Sequence, residues 1–100
     1  MVRHVILWQL KDELSDEQKI KVKSEIKESL EALKGKIAGL NDIRVYCDCL
    51  ETSNADLMLD ALLQDKNALN AYAVHPEHVK AANEKVKPFA KQRVCMDFEV

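Results

Sequence analysis

The sequence has 100 residues, of which 47% are hydrophobic and 32% charged, as expected for one globular domain spanning residues 1–100. Its formal net charge of −2 argues against a broad basic surface for nucleic acid. The N-terminal apolar run is too short for a secretory signal, and no segment approaches the roughly 20 apolar residues that span a bilayer. We therefore expect a cytoplasmic protein with no membrane or nucleic-acid partner.

The first half of the chain predicts a strand followed by a helix. Apolar residues alternate from Val2 to Leu10, which is typical of a strand. The run Ser15 to Gln18 matches a capping box, in which the two end residues satisfy free backbone N–H groups at a helix start. Apolar residues then recur at spacings of three and four from Val22 to Ile37, and Gly39 is a natural helix end.

Two further strands and a helix follow. Apolar and polar residues alternate from Ile43 to Cys49, which predicts the second strand. A polar turn at Glu51 to Asn54 separates it from a third strand over Asp56 to Leu63. A helix is predicted over Lys66 to Val74, and Pro76, which follows shortly after, interrupts it.

Proline defines the last part of the chain. The residue before a proline avoids the α region, while proline itself suits the first position of a helix. We therefore predict that His75 caps a helix from Pro76 to about Phe89, followed by a strand in which Val94 to Val100 alternate. The resulting order βαββαβ predicts a ferredoxin-like α+β fold: a four-stranded antiparallel sheet with helices on one face and the first and third strands in the centre.

The second face of this sheet is also predicted to be partly apolar. The apolar residues assigned to it are Val5, Leu7, Tyr46, Met58, Leu62 and Cys95, and the charged ones are Arg44, Asp48, Asp60, Arg93 and Asp97. The helices can cover only the opposite face, and large apolar patches rarely stay exposed. We therefore expect a homodimer that pairs sheet to sheet as a closed α+β barrel, the alternative being a monomer with a partly polar open sheet.

The cysteines and histidines are the candidate ligands for a soft metal ion. Cys47, Cys49 and Cys95 are an odd number in strand-like runs, which predicts buried, reduced thiols. Neither the cysteine pair nor His75 with His78 has a clear set of further ligands, so no metal site and no cofactor are expected.

Two imidazoles and a phenol lie close together around Pro76. Helical spacing brings Tyr72, His75 and His78 within about one and a half turns of one another. Imidazole titrates near neutrality, so His78 as base and Tyr72 as proton donor would suit a carbon acid beside a carbonyl. Alternatively, these two residues and His4 form a structural network that fixes the helix on the sheet. His75 and Pro76 are assigned structural roles, because a capping position explains His75 fully.

Three stretches of this chain resemble the stress-responsive α/β-barrel domain family of the dimeric α+β barrel superfamily. They are the opening Arg3 to Leu7, the strand at Asp56-Leu57, and Tyr72 to Val79, which matches the family's Tyr-x-x-His-Pro-x-His signature. The likeness covers nearly the whole chain, and the signature is fairly specific because its residues keep fixed offsets. The chain departs from the pattern at Tyr46 to Cys49, where many members have a glycine.

The resemblance implies a homodimer with a cavity between the sheet and the helices of each protomer. Most members of the family have no assigned activity, so an unknown function is the first expectation. One plant branch is a polyketide cyclase that closes an aromatic ring by aldol condensation without a cofactor. By resemblance to that branch, Tyr72 and His78 would be the proton-transfer pair, and His4 would line the same cavity.

Two functional hypotheses remain open. The protein is either a binding or stress-protective module for a small organic ligand, or a cofactor-free cyclase- or isomerase-like enzyme in which His4 orients the pair of Tyr72 and His78. The expected pocket lining is Ile6, Trp8, Val22, Ile26 and Val79. Trp8 could fill the cavity instead, and an open volume of a few hundred cubic ångströms beside His78 would favour ligand binding.

Overall fold

A computed structural model describes residues 1–100 as one four-stranded antiparallel sheet with helices on one face. The strands lie in the order β2-β3-β1-β4, so the first and third strands are central as predicted. This is the ferredoxin-like α+β fold. Its elements are β1 (Val2–Leu10), α1 (Asp16–Glu31), β2 (Leu40–Tyr46), β3 (Leu57–Leu63), α2 (Lys66–Val74), α3 (Pro76–Ala81), a π-helical segment (Ala82–Val86) and β4 (Ala90–Glu99).

The predicted capping box at the start of α1 is confirmed. The Gln18 backbone N–H donates to Ser15 Oγ at 3.1 Å, and the Ser15 N–H donates to Gln18 Oε1 at 2.8 Å. The helix ends at Glu31, however, well before the predicted end at Gly39. Gly35 has a φ of +88°, and a residue in the left-handed region cannot continue a right-handed helix. The chain turns tightly instead and still buries Ile37.

Two side chains of α1 satisfy the free edge of β2. Lys27 Nζ donates to the Val45 carbonyl oxygen at 2.8 Å, and the Val45 N–H donates to Glu31 Oε2 at 3.0 Å. Burial alone would raise the pKa of Glu31, but the hydrogen bonds from Val45 and Lys27 outweigh it and lower that pKa. An ion pair on the helix thus occupies both polar groups of one edge residue, which blocks pairing with another strand there.

The pairing of β4 with β1 corrects the predicted faces of the last strand. Opposite residues in an antiparallel pair point to the same side of a sheet. Arg93 lies opposite Trp8, Cys95 opposite Ile6 and Asp97 opposite His4, which places all three residues on the helix side. The prediction that Arg93, Cys95 and Asp97 lie on the other face was therefore wrong.

The face away from the helices is nevertheless strongly apolar. Its residues on β4 are Val94, Met96 and Phe98, which are exposed. Leu7 on β1 and Tyr46 on β2 are also exposed on this face. The apolar character of this face was therefore predicted correctly, but its residues on β4 were not, because the register of β4 cannot be read from the sequence alone.

The cysteines are less buried than expected. Strand β2 ends at Tyr46, so Cys47 and Cys49 lie beyond it, and only Cys95 is in a strand. Cys49 and Cys95 are exposed and Cys47 is half-buried, and all three are free thiols. The prediction of buried thiols was therefore wrong. No helix in the protein has the length and apolar character needed to cross a membrane.

Candidate functional site

A sharp corner between α2 and α3 sets the geometry of the site. His75 ends α2 in an extended conformation (φ −64°, ψ 132°), and Pro76 occupies the first turn of α3. His75 Nδ1 accepts a hydrogen bond from the Glu77 backbone N–H at 3.1 Å. His75 thus caps α3, as its position before a proline predicts, and its ring is committed to the backbone.

The corner folds His78 back against Tyr72. The two ring centroids are 4.3 Å apart with an interplanar angle of 37°. On its other side Tyr72 meets His4 of β1 edge to face, with centroids 5.8 Å apart. The structure therefore brings His4, Tyr72 and His78 together, with both imidazoles in contact with the phenol.

The hydrogen bonding of His78 leaves one ring nitrogen free. Its Nδ1 lies 3.2 Å from the Ala73 carbonyl oxygen. A carbonyl only accepts, so this bond requires the proton on Nδ1 and places the lone pair of the neutral ring on Nε2. Burial lowers the pKa of His78, the hydrogen bond with Ala73 partly opposes this, and the electrostatic effects of the neighbouring His4, Arg93 and Lys87 leave the pKa below its ordinary value. The neutral ring with a basic Nε2 is thus the favoured form near neutral pH.

The Tyr72 hydroxyl is a donor without a partner in the protein. The residue as a whole is only 1% exposed, but no fully buried side-chain oxygen or nitrogen of the protein lacks a hydrogen-bond partner, so the unpaired hydroxyl oxygen must retain some exposed surface. Because Tyr72 lines the adjoining cavity, we infer that its hydroxyl opens onto that space. Burial raises the pKa of Tyr72, which keeps the phenol protonated and able to donate.

His4 lies behind Tyr72 and is not among the cavity-lining residues, which corrects its expected position. Its Nδ1 is hydrogen-bonded to Asp97 Oδ1, and its side chain is 8% exposed. This carboxylate is the partner that the sequence analysis missed. Only the β1–β4 register, which pairs these two residues directly, could have revealed it.

An open cavity of about 550 Å³ adjoins the rings of Tyr72 and His78. It lies between α3 with the π-helical segment on one side and strands β1 and β4 on the other. Tyr72, His78 and three of the predicted lining residues, Ile6, Trp8 and Val79, form part of its wall. Trp8 lies in the wall and leaves this volume open.

Val22 and Ile26 do not line the cavity, contrary to expectation. Both are buried where α1 packs on the sheet, Ile26 with no exposed surface. Only Leu30, one turn further along the same helix, reaches the cavity wall. The apolar stripe of α1 therefore lies mainly in the core and reaches the cavity wall at Leu30 alone.

The far wall comes from an irregular helical segment. The predicted helix to Phe89 changes after Ala81 into a π-helical turn, in which the Lys87 N–H donates to the Ala82 carbonyl at 2.9 Å. Such wide turns are rare in proteins overall, and those that occur are often located at functional sites. This turn directs Asn83 and Val86 to the cavity.

The mouth of the cavity is positively charged. Lys87, Lys91 and Arg93 all line it, and no carboxylate does. Lys91 is paired with Asp12 at 2.9 Å. Lys87 and Arg93 are close enough to His78 to lower its pKa, so their charges act on the interior of the cavity as well.

The sequence also matches the model of a known protein family. Residues 2–100 match the model of the stress-responsive A/B barrel domain. The chain belongs to this family. No curated protein matches the sequence.

Solved structures similar to this member of the stress-responsive A/B barrel family have the same fold. A dimeric protein of unknown function with a ferredoxin-like fold from Bacteroides fragilis is 30% identical, with a TM-score of 0.92, over 99% of this chain and 95% of that one. A dimeric ferredoxin-like protein of unknown function from Thermobifida fusca is 25% identical, with a TM-score of 0.78, over 99% and 90%. The hydroxynitrile lyase of Passiflora edulis is 13% identical, with a TM-score of 0.73, over 99% and 92%, a likeness that concerns the fold alone.

Proposed function

We propose that the protein is a homodimeric binding module that takes a small acidic organic molecule into the cavity of each protomer. The observation that carries this proposal is an open volume lined by both His78, whose Nδ1 is bound to the Ala73 carbonyl and whose Nε2 has no partner in the protein, and Tyr72, whose hydroxyl makes no hydrogen bond within the protein. A cavity of about 550 Å³ is within the usual range of ligand pockets, about 300 to 1,000 Å³.

The lining supports a ligand with an apolar body and an acidic oxygen. The interior is formed by apolar side chains such as Ile6, Trp8 and Val86, which favour a hydrocarbon or ring. Arg93 and Lys87 at the mouth favour a negative charge, and the Tyr72 hydroxyl can donate to the same oxygen. A carboxylate or phenolate on a small apolar skeleton satisfies all of these groups at once.

Matched pairs of ligands test this proposal. We expect small carboxylic acids to raise the unfolding temperature in a thermal-shift screen, and their methyl esters to have much less effect. Arg93→Gln should weaken binding of the acids, while Lys21→Gln, which changes an exposed lysine outside the cavity, should not. Equal shifts by acids and esters, or equal binding by both variants, would contradict the proposed ligand class.

The apolar sheet face supports the homodimer. Leu7, Val94, Met96 and Phe98 are between 38% and 66% exposed in the single protomer, a patch that monomeric proteins rarely leave open. Arg3 on the same face is already paired with Asp60 at 2.7 and 2.8 Å, so burial of this face would not leave the Arg3 charge unpaired. The relatives from B. fragilis and T. fusca, described as dimeric, support the same assembly.

Two apolar residues of equal exposure give a controlled test of the dimer. Met96 on the sheet is 66% exposed and Ile20 on α1 is 69% exposed. We expect Met96→Asp to give monomers by light scattering at micromolar concentration, while Ile20→Asp leaves the mass of the dimer unchanged. A wild-type protein of monomer mass would contradict the dimer.

One observation also favours a second function, acid–base catalysis without a cofactor in a cyclase- or isomerase-like reaction. His78 Nε2 is a free base, and the Tyr72 hydroxyl is a free donor next to it. His78 would remove a proton from a carbon beside a carbonyl, and Tyr72 would donate a hydrogen bond to the oxygen that becomes negative. His4, packed behind Tyr72, would hold the phenol in place.

Isotope exchange separates this function from binding alone. A bound keto acid should exchange its α-protons for deuterium in D₂O, followed by NMR, and His78→Asn should abolish the exchange. Tyr72→Phe removes only the hydroxyl and should slow exchange while leaving the fold intact. Exchange that persists in His78→Asn would contradict the assigned base.

A cytoplasmic location is the last part of the proposal. All three cysteines are free, as is usual in a reducing compartment. Immunoblotting of cell fractions should find the protein with soluble cytoplasmic markers, and recovery in a secreted fraction would contradict this location.

A further inference from the structure

A cluster of three different ligating side chains lies behind the cavity, on the helix side of β1 and β4. His4 and Asp97 are directly paired across the two strands, and Cys95 is two residues from Asp97 on the same face. The ligating atoms of the three side chains all lie within 4.8 Å of one another. The proposed function assigns no role to Cys95.

We propose that His4, Cys95 and Asp97 bind a divalent zinc-like cation. A tetrahedral zinc site has bonds of about 2.0 to 2.3 Å, so its ligand atoms are separated from one another by about 3.3 to 3.6 Å. Cys95 Sγ lies 3.7 Å from His4 Nδ1 and 3.6 Å from Asp97 Oδ1. Two of the three separations in the cluster therefore already suit the ion.

The third separation requires one small movement. His4 Nδ1 and Asp97 Oδ1 are in direct hydrogen-bond contact, and an ion would replace the shared proton between them. The Asp97 side chain is 40% exposed and can rotate outward, while the His4 side chain, 8% exposed, is held by the core. The buried imidazole is thus a fixed ligand, and the carboxylate is the adjustable one.

The ligand set selects the kind of ion. One nitrogen, one sulfur and one oxygen suit zinc, whereas magnesium and calcium bind oxygen almost alone. Cys95 and Asp97 are exposed, which gives the ion a path of entry and leaves room for a fourth ligand.

Cobalt substitution tests the site directly in the reduced, full-length protein. We expect wild-type protein to bind one Co²⁺ per protomer with a thiolate-to-cobalt charge-transfer band, and Zn²⁺ to displace it. Cys95→Ser should abolish the band, while Cys49→Ser, which changes an exposed cysteine outside the cluster, should retain it. Asp97→Asn should weaken Zn²⁺ binding by more than about tenfold in a chelator competition.

Other outcomes would overturn the proposal. These are the absence of the band in wild-type protein, or a band that survives in Cys95→Ser and is lost in Cys49→Ser. Circular dichroism of each variant would show that a lost band is not a lost fold. The assay contains no organic ligand, so its failure leaves the proposed cavity function unaffected, and the reverse holds too.

Discussion

Two glycines with the same backbone conformation offer a sharp test of how α2 is held against the sheet. Gly35 and Gly39 have φ values of +88° and +84°, so an alanine at either position meets the same backbone strain. They differ in their surroundings. A Cβ at Gly35 would have no atom within 4 Å, whereas one at Gly39 would lie 2.7 Å from Ala68 Cβ in the first turn of α2.

The expected losses of stability follow from these two terms. The left-handed conformation costs an alanine about 1 to 2 kcal/mol, partly offset by about 0.4 to 1 kcal/mol from the stiffer unfolded chain. Gly35→Ala should therefore reduce the free energy of unfolding by about 1 kcal/mol. Gly39→Ala should lose an additional 1 to 3 kcal/mol or so, because overpacking a close contact has about that effect.

Urea denaturation of the wild type and four variants measures the contact by itself. The variants are Gly35→Ala, Gly39→Ala, Ala68→Gly and the double variant Gly39→Ala/Ala68→Gly, which removes the clash but keeps the backbone strain. The double variant should lose less free energy of unfolding than the sum of the losses of Gly39→Ala and Ala68→Gly, and this difference, the coupling energy, should be about 1 to 3 kcal/mol. Equal losses for the two glycine variants, with no coupling to Ala68, would refute the close packing of α2 on this turn.

Three further predictions concern the core, the sheet edge and the pH dependence. Ile26→Ala should lose about 2 to 5 kcal/mol in urea denaturation because Ile26 is fully buried, whereas Ile20→Ala on the exposed side of the same helix should change stability by less than about 0.5 kcal/mol. Glu31→Ala should lose about 1.5 to 3 kcal/mol at neutral pH by freeing the Val45 N–H. Because the pKa of Glu31 is lowered in the fold, the difference from wild type should begin to shrink as the pH falls below the ordinary value of 4.5 and should be lost as the pH passes the lowered pKa. The lowered pKa of His78 makes protonation favour the unfolded chain, so stability should decline as the pH falls below 6.5, and His78→Asn should lack that part of the decline.

Each of these predictions has a contradicting result. Equal losses at positions 26 and 20 would mean that α1 is not packed as described. A Glu31→Ala loss that does not shrink as the pH falls below 4.5 would mean that ionisation of Glu31 is not its source. Identical pH profiles for wild type and His78→Asn would mean that His78 titrates normally in the fold.

The local part of the fold was predictable from short patterns in the sequence. The capping box at Ser15, the alternation in β1 and the interruption before Pro76 each act through neighbouring residues, so their outcome hardly depends on the rest of the chain. Helix ends were less predictable. Helix α1 ended before Gly35, which is in the left-handed region, although the apolar spacing continues to Ile37, and a π-helical turn replaced the regular helix after Ala81.

The candidate site shows the same division. Spacing alone placed Tyr72 next to His78, since both lie around one corner of the chain. It could not place Asp97 beside His4, because those residues are 93 positions apart in the sequence. A shift of one residue in the register of β4 would turn Asp97 to the other face of the sheet.

The sequence by itself determined the order of the elements, the amphipathic helix α1 and the pairing of two proton-active rings at the α2–α3 corner. Only the tertiary structure decided that Val22 and Ile26 are in the core, that the cavity stays open beside Trp8, and that Cys95 and Asp97 point toward the helices. The physical reason is range. Hydrogen bonds and dihedral preferences act over a few residues, whereas strand register and the angle of a helix on a sheet are set by the packing of the whole chain.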